Sequence, residues 1–579
     1  MGRSSNKELA SIFREVADML EMKGESIYKI IAYRKAADNL EHAIQDVAVL
    51  WQQGRLREVP GIGESIAAKI QEYLTTGRMA LHDQLREEMP PGVLSLRTIS
   101  GVGPKTAWLL YQRLGITSVA EVERAAKEGK LRGLPGLGER SEEKILQGIE
   151  MLHRRSERIP LGIALPVAQA ILAGLRECPQ VLRLSTAGSL RRCKPTVGDI
   201  DILAVSRQPQ AVVRCFAQLP EVAEVVSQGD TKSTVLLEDG LQIDLMVLEE
   251  ARYGSLLQHF TGSKDHNVHL RELALDHGLS LSEYGFTRPD GQVILCPEEE
   301  DVYLTLELDY IPPELREDAG EVEAARERRL PRLVQSVDLK GDLHVHSTWS
   351  DGVSSIREMA QAAKARGYEY IAVADHTKSL GIARGLTVDR LRERQAEVEE
   401  VNRELAPFRV LSGVEVEVKA DGSLDLPDDV LAKLDLVVAS VHSGLRQERD
   451  RITGRVLAAM RNPHVDIIGH PTGVILGERE PYDLDFAAIL REAVATGTAL
   501  EINSMPSRLD LDDRHVRQAV AAGAMLAIST DSHRVESLEA ISFGLAMARR
   551  GWAEPASVIN TVSFPALLSR LKGQPGPAS

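Results

Sequence analysis

GDLHVHSTWSDG, residues 341 to 352, sets two histidines two positions apart in a short apolar run and adds an aspartate in the turn that follows. On an extended strand, residues i and i+2 point to the same side, so His344 and His346 share a face that Asp351 can approach from the loop. The pattern recurs to the end of the chain. YIAVADHT stops at His376, RVLSGVEVEV carries Glu415, LDLVVASVHS ends near His442, VDIIGHP near His470, and AMLAISTDSH at Asp531 and His533. TALEINS, ending near Asn503, is a further strand, and Asn503 is expected to line the pocket without being a ligand. Helical stretches separate the runs. Seven such β-α units predict a barrel of parallel strands, in plan like the eight-stranded kind, where chemistry collects at the carboxyl ends of the strands. Six of the chain's 15 histidines fall at those ends, beside three carboxylates. A lone histidine is ordinarily a satisfied core residue, but six at equivalent positions imply a metal centre. Imidazole and carboxylate without thiolate suit Mn²⁺, Zn²⁺ or Fe, and nine ligands can hold about three ions. The chemistry expected is hydrolysis, with a metal-activated water as nucleophile near neutral pH.

Upstream, PPELREDAGEVEAARERRLPRLVQSV (312 to 337) is charged, proline-flanked and without strand pattern, which predicts a linker with some helix. Residues 181 to 310 alternate apolar and polar positions, as in DIDILAV, STVLLED and LQIDLMVL, and predict an antiparallel sheet. In AGSLRRCKPTVGDIDILAV (187 to 205), Asp199 and Asp201 stand at i, i+2 inside an apolar strand, and Asp244 occupies an equivalent place in a later one. Three convergent carboxylates suit two Mg²⁺ or Mn²⁺ ions, since hard cations take oxygen ligands and leave room for substrate phosphates. One ion would activate an attacking hydroxyl while the other steadies a leaving pyrophosphate. Gly188, Ser189 and Arg192 form the turn before the pair and could hold a triphosphate through N–H, hydroxyl and guanidinium.

The first 150 residues are helical patterns broken by one repeated phrase: VPGIGESIAAKI (59 to 70), ISGVGPKTAWLL (99 to 110) and LPGLGERSEEKI (134 to 145). Each Gly-x-Gly lets the chain turn tightly and leaves free N–H groups at a helix start, where a phosphate binds without side-chain charge. Three copies imply helix-hairpin-helix contacts to a DNA backbone through Gly61, Gly63, Gly101, Gly103, Gly136 and Gly138, with Lys69 and Lys105 beside them. Such contacts position a duplex without reading its sequence.

Composition fits this division. The net charge is −16, yet residues 1 to 200 hold 29 Lys and Arg against 24 Asp and Glu, and the remainder 40 against 61. The acidic excess is either solvated surface or carboxylates kept as ligands. No apolar run is long enough to span a membrane and the amino end lacks a signal core, so a soluble, cytoplasmic protein is expected. Four scattered cysteines, with no CxxC spacing, fit a reducing compartment.

From about residue 8 to 318 these motifs resemble DNA polymerases of family X, of which polymerase beta is the best known. AYRKAA (32 to 37), the first two glycine repeats, GSLRR with GDID, the Asp244 strand and FTGSKDHNVHLR (260 to 271) carry the resemblance. It implies that Asp199 and Asp201 bind both metals, that Asp244 binds the catalytic one, that Phe260, Gly262 and Asn267 contact the incoming nucleotide, and that Arg271 meets the template minor groove. His259 stands where family members commonly have Tyr, Lys264 where polymerase beta has an acid, and Leu161 where it has a triphosphate-contacting Arg. Lys69 falls at its Schiff-base lysine, so it would serve either a lyase step or phosphate contact. The carboxyl-terminal part is similar to the polymerase and histidinol phosphatase (PHP) family, whose nine-ligand pattern on a distorted seven-stranded barrel is filled here by His344, His346, Asp351, His376, Glu415, His442, His470, Asp531 and His533. A family X core joined to a PHP domain resembles bacterial PolX proteins over nearly the full chain. That resemblance implies gap filling in base excision repair and a Mn²⁺-dependent 3′→5′ exonuclease, with abasic-site cleavage or 3′-end cleaning as accompanying activities.

The resulting expectation is a multidomain α+β and α/β chain: a helical DNA-binding domain (1–90), a second helix-hairpin-helix domain (91–155), a nucleotidyltransferase palm (156–259), a thumb-type domain (260–318), a linker (319–340) and the PHP barrel (341–572). Its expected partners are gapped or primer-template DNA and deoxynucleoside triphosphates, without membrane, and it is expected to act as a monomer. Its expected cofactors are Mg²⁺ or Mn²⁺ at the first centre and about three Mn²⁺ or Zn²⁺ at the second. A metallophosphoesterase with a silent polymerase half, or a non-enzymatic gapped-DNA scaffold, are the competing readings. The intact aspartate trio opposes the one and the full ligand set the other.

Overall fold

The computed structural model describes residues 4–41, 47–59, 61–90, 92–99, 101–156, 158–238, 240–379 and 383–571. The chain forms two compact units, Met1–Glu157 and Arg158–Ser579.

The first unit is helical. Its apolar residues gather into one core that runs from Leu9 and Phe13 through Ile70 and Leu110 to Ile149, so the two stretches expected as separate domains share their interior. The first glycines of the three repeats share one conformation. Gly61, Gly101 and Gly136 are left-handed, at φ 76°, 92° and 79°, which explains why the first glycine recurs. Gly63 and Gly103 then cap the helices Glu64–Thr76 and Pro104–Leu114 in extended conformation, with no side chain satisfying the first amides. Gly138 immediately precedes the helix Glu139–Ser156.

The second unit opens with a five-stranded sheet. Its spatial order is Arg183–Thr186, Ile200–Val205, Gln242–Leu248, Lys232–Leu237, Val222–Gln228. The expected antiparallel arrangement needs correction, because Ile200–Val205 and Gln242–Leu248 pair in parallel. The alternating pattern that predicts a strand is blind to its direction. A crossover through the helix Pro209–Ala217, whose Val212, Val213 and Phe216 are buried in the same core as the sheet, lets the two run side by side.

Residues 312–337 are not a free tether. Val322 and Ala325 from the helix Glu321–Arg326, with Leu333, complete the core built by Leu270, Phe286 and Tyr303. Arg316 and Glu321 are fully buried, and the Val334 amide donates to the Ala553 carbonyl. Charge misled the reading here: these charged residues are satisfied inside the fold instead of at its surface.

The remainder is a seven-stranded parallel sheet in sequence order. Its strands are Gly341–Val345, Tyr370–Val373, Arg409–Glu417, Leu436–Ser440, Ile467–Ile468, Ala499–Asn503 and Leu526–Ser529. A bridge between Val345 and Ser532 joins the first strand to the loop after the last and curls the sheet into a barrel. Apolar residues dominate most strands, as expected where helices cover the sheet. The helix Ile356–Ala365 shows the local logic: Ser355 and Glu358 form a capping box, and Ile356, Met359, Ala360 and Ala363 present one buried stripe. Among the described residues no helix is long and apolar enough to cross a membrane.

Candidate active sites

The parallel pairing in the first sheet sets Asp201 directly beside Asp244. Asp199 precedes the strand, and the three carboxylates bring oxygens within 4.8 Å of one another. Asp244 is oriented from both sides, by the Thr234 hydroxyl at 2.6 Å and the Gln242 amide at 2.7 Å. Burial and the charges of Asp199 and Asp244 push Asp201 up to about 7, with Arg192 and Lys232 offsetting them in part. Three carboxylates this crowded repel unless a cation lies among them, so the donor set fits hard divalent ions. Gly188 explains the turn beside them. Its φ is 60°, and a Cβ there would stand 2.1 Å from the Asp201 Oδ2.

The residues expected around the nucleotide divide into two groups. Gly188 and Ser189 lie on the turn against Asp201. Arg192, in contrast, is buried, its Nε bonded to Glu317 at 3.0 Å and one Nη donating to the Thr261 carbonyl. Gly262 lies against that guanidinium. Asn267 donates to the His259 carbonyl at 2.7 Å and accepts from Gln258 at 2.8 Å, while Phe260 lies beneath the Lys232 ammonium, 6.0 Å from its ring centre. Leu161 is a buried core residue, and Lys264 and Arg271 are exposed. On the helical unit Lys105 is exposed, and the Lys69 ammonium lies 3.3 Å from the Ser65 hydroxyl. Lys232, Thr234, Gln242 and Glu317 escaped the sequence reading. Lys232 and Thr234 were legible only through their register with the Asp244 strand.

In the barrel, eight of the nine expected ligands form three overlapping groups: His346, Asp351, His376 and His533; His344, His346 and Asp531; and His376, Glu415 and His442. His470 joins them through its Nε2, 3.1 Å from the Glu415 carboxylate. Two of these residues have backbones that non-glycine residues rarely adopt, His470 at φ 27° and Asp531 at φ 54°. Asn503 donates to Asp531 at 3.1 Å.

Two further carboxylates set the ring nitrogens. Glu501 lies 2.7 Å from His344 Nδ1, and Glu417 lies 2.8 Å from His442 Nδ1, so in each ring Nε2 turns toward Glu415. Such partners fix the tautomer of a ligating imidazole. Both were readable in hindsight, because Glu417 sits two residues past Glu415 and Glu501 two before Asn503, on shared strand faces. Behind them Asp375 and Arg394 form a buried ion pair at 3.0 Å, with the Ser350 hydroxyl on Asp375.

The electrostatics of the barrel site follow from this crowding. Burial alone would keep His344 neutral, yet Glu501, Glu415 and Asp531 hold its pKa well above the ordinary value. Burial and the rings of His533 and His376 push His346 down to about 4. His346 Nδ1 and His470 Nδ1 are buried without a hydrogen-bond partner. Buried donors or acceptors left open in a nest of nitrogen and oxygen ligands fit divalent metal ions, and with no cysteine present they disfavour a thiolate site.

Comparison with known proteins finds matches along most of the chain. Residues 4–79 match the model of a helix-hairpin-helix domain and residues 93–150 that of a SAM-like helix-hairpin-helix tandem. Residues 256–317 match the DNA polymerase beta thumb and residues 342–505 the PHP domain. The DNA polymerase/3′-5′ exonuclease PolX of Bacillus subtilis (strain 168) is 39% identical over 561 residues, covering 96% of this chain and 98% of the relative. DNA polymerase lambda of Rattus norvegicus is 25% identical over 346 residues, 54% of this chain and 56% of the relative. A probable phosphatase of Thermoanaerobacter sp. (strain X514) is 32% identical over 204 residues, 33% of this chain and 78% of the relative.

Proposed function

The chain belongs to the PolX family of DNA polymerases, and from that premise we propose that it fills short gaps in DNA at the Asp199, Asp201 and Asp244 centre and trims 3′ ends at the barrel centre. The observation that carries this reading is that an aspartate trio and a histidine-rich cluster occur together in one chain aligned almost end to end with a relative named for both activities. Its place is DNA repair.

At the first centre, Asp199, Asp201 and Asp244 would hold Mg²⁺ or Mn²⁺. Bound ions supply acidity to the primer 3′-hydroxyl and neutralise charge on the departing pyrophosphate. The chain's own part is to position. Thr234 and Gln242 fix the Asp244 carboxylate, and the Gly188 turn lets a triphosphate approach Asp201 without a side chain in the way. Ser189 offers a hydroxyl on that turn. Asn267 and Gln258 lock the segment carrying Phe260, which supports contact with the incoming nucleotide.

At the second centre the nine ligands would hold about three ions, Mn²⁺ or Zn²⁺ by donor type. Glu501 and Glu417 orient two of the imidazoles, and Asn503 steadies Asp531. On the helical unit, free amides at the Gly63, Gly103 and Gly138 helix starts would take DNA phosphates.

The decisive experiment gives the purified chain a one-nucleotide-gapped duplex labelled on the primer, with Mg²⁺ or Mn²⁺ and with or without deoxynucleotides. Asp201→Ala should abolish extension and spare shortening, and His344→Ala should do the reverse. Loss of both activities in either variant would overturn the assignment of one reaction to each centre.

A further inference from the structure

Outside both centres the second unit holds a cleft of about 980 Å³ between the first sheet and the barrel. One wall carries Ser189 and Arg192, from the turn whose Gly188 lies against Asp201. The cleft therefore borders the segment that lies against Asp201. Around it lie Arg158 and Lys194 from the polymerase side and Arg508, Arg514 and Arg517 from the barrel side.

These cations are not all spoken for. The four carboxylates of the lining are occupied, Glu314 by Arg549, Glu317 by Arg192, Lys194 and Arg550, Asp512 by Arg514 and His515, and Asp513 by Arg550. Arg517 is half-buried and stacks on Trp552, its guanidinium carbon 3.6 Å from the ring centre, and among the described residues no carboxylate pairs with it. Arg508 makes one long contact, 3.4 Å to the Val474 carbonyl. Partly buried guanidiniums with no carboxylate ion pair among the described residues, facing one cavity, suit an anion with several oxygens, because the planar fork bonds two at once. Nucleotide addition generates such an anion beside Asp201: as the primer oxygen bonds to the α-phosphorus, the bond to the bridging oxygen breaks and pyrophosphate departs.

We propose that this cleft is an oligophosphate site that receives the pyrophosphate released at the aspartate centre, with Arg508 and Arg517 of the barrel as its principal contacts. The barrel domain thereby has a part in polymerisation that its own metal centre does not supply. This proposal rests on nucleotidyl transfer at the first centre.

The test is binding of radiolabelled pyrophosphate to the full chain by equilibrium dialysis, beside its inhibition of gap filling. Arg508→Glu and Arg517→Glu should each weaken binding about tenfold, the worth of one charge-assisted hydrogen bond, and raise the pyrophosphate inhibition constant equally. The KM for deoxynucleotide should stay within about twofold, a difference too small to mark a lost contact. Orthophosphate should compete weakly, and a deoxynucleoside triphosphate no better than its triphosphate tail allows. Arg508→Gln and Arg517→Lys, milder changes, should fall between wild type and the reversals, with melting curves checking the fold. Asp201→Ala, expected to lose extension, should still bind pyrophosphate, so failure of this site and failure of the polymerase assignment are told apart. Unaltered pyrophosphate binding in both reversals, or a KM that rises in step with the inhibition constant, would overturn the proposal.

Discussion

Glu501 decides which nitrogen of His344 faces the ligand cluster. With its carboxylate 2.7 Å from Nδ1 and its other oxygen accepting the His470 amide, it holds two ligand positions at once. Glu501→Gln should therefore cost the exonuclease roughly 10- to 100-fold in metal affinity, read as a shifted Mn²⁺ titration of 3′ shortening, while extension is unchanged. The nine ligands themselves were legible in the sequence because histidines recur at or near the ends of successive apolar runs, whereas Glu417 and Glu501, acids within such runs, are tied to His442 and His344 only once the strands are paired. Glu299 shows a different limit. It receives both Nη groups of Arg191 at 2.7 Å, the Tyr310 hydroxyl at 2.8 Å and the Arg316 guanidinium, joining segments more than 100 residues apart, and no local pattern announces it. Burial would raise its pKa, but Arg316 and Arg191 outweigh burial and hold it near 2 instead of the ordinary 4.5. Glu299→Gln strands a buried Arg316 and should destabilise the second unit by about 3 to 5 kcal/mol in denaturant unfolding at neutral pH. Because the folded pKa is depressed, the carboxylate's contribution is full above 4.5 and is lost as pH falls toward 2, so the gap between wild type and variant should narrow on acidification. A gap that widens would refute the pairing.

Among elements, the glycine repeats were the most legible, since a left-handed first glycine recurs three times and an extended second one caps the helix in the first two repeats. A separable consequence follows at Gly103. Its φ of −80° admits any residue, and no atom lies within 4 Å of where its Cβ would be. An aspartate there is a good helix cap but fills the same amides that a phosphate needs. Gly103→Asp should keep or slightly raise thermal stability while weakening binding to a labelled gapped duplex several-fold, measured by fluorescence anisotropy at fixed salt. Equal affinity in both proteins would remove this helix start from the DNA contact. The sheet was less legible. Alternation located its strands, but their direction depends on a crossover packed by the Pro209–Ala217 helix, and it is that parallel pairing which places Asp201 beside Asp244. The 312–337 stretch was the least legible, because its charges mimic a solvated linker while Arg316 and Glu321 are satisfied within the fold.

At the scale of the molecule, the polymerase-type half and the barrel belong to one compact unit from Arg158 to Ser579. Arg550 is the residue that makes this mechanical. Nearly inaccessible on a barrel helix, it bonds Asp513 of the barrel, Glu317 of the 312–337 stretch at 3.1 Å and the Arg192 carbonyl beside the first sheet at 2.7 Å. It thus holds in place the carboxylate that holds the Arg192 side chain. Two metal centres on independent domains would lose activity independently on heating. Centres tied through a buried guanidinium and the packed 312–337 stretch should fail together, since opening the interface unpairs Arg550 from Glu317 and from the Arg192 carbonyl and leaves it only Asp513. Heat inactivation of extension and of 3′ shortening should accordingly follow one curve in the wild-type chain. Arg550→Ala leaves Asp513 without its cation and Glu317 with Arg192 and Lys194 alone, a change worth about 3 kcal/mol for a buried partner, and should move both curves down by several degrees. Extension should suffer additionally at permissive temperature, because Glu317 and Arg192 border the Ser189 turn, whereas shortening should recover fully. Separate inactivation curves in the wild type would show that the interface carries no mechanical load, and that the two centres share a chain without sharing a fold.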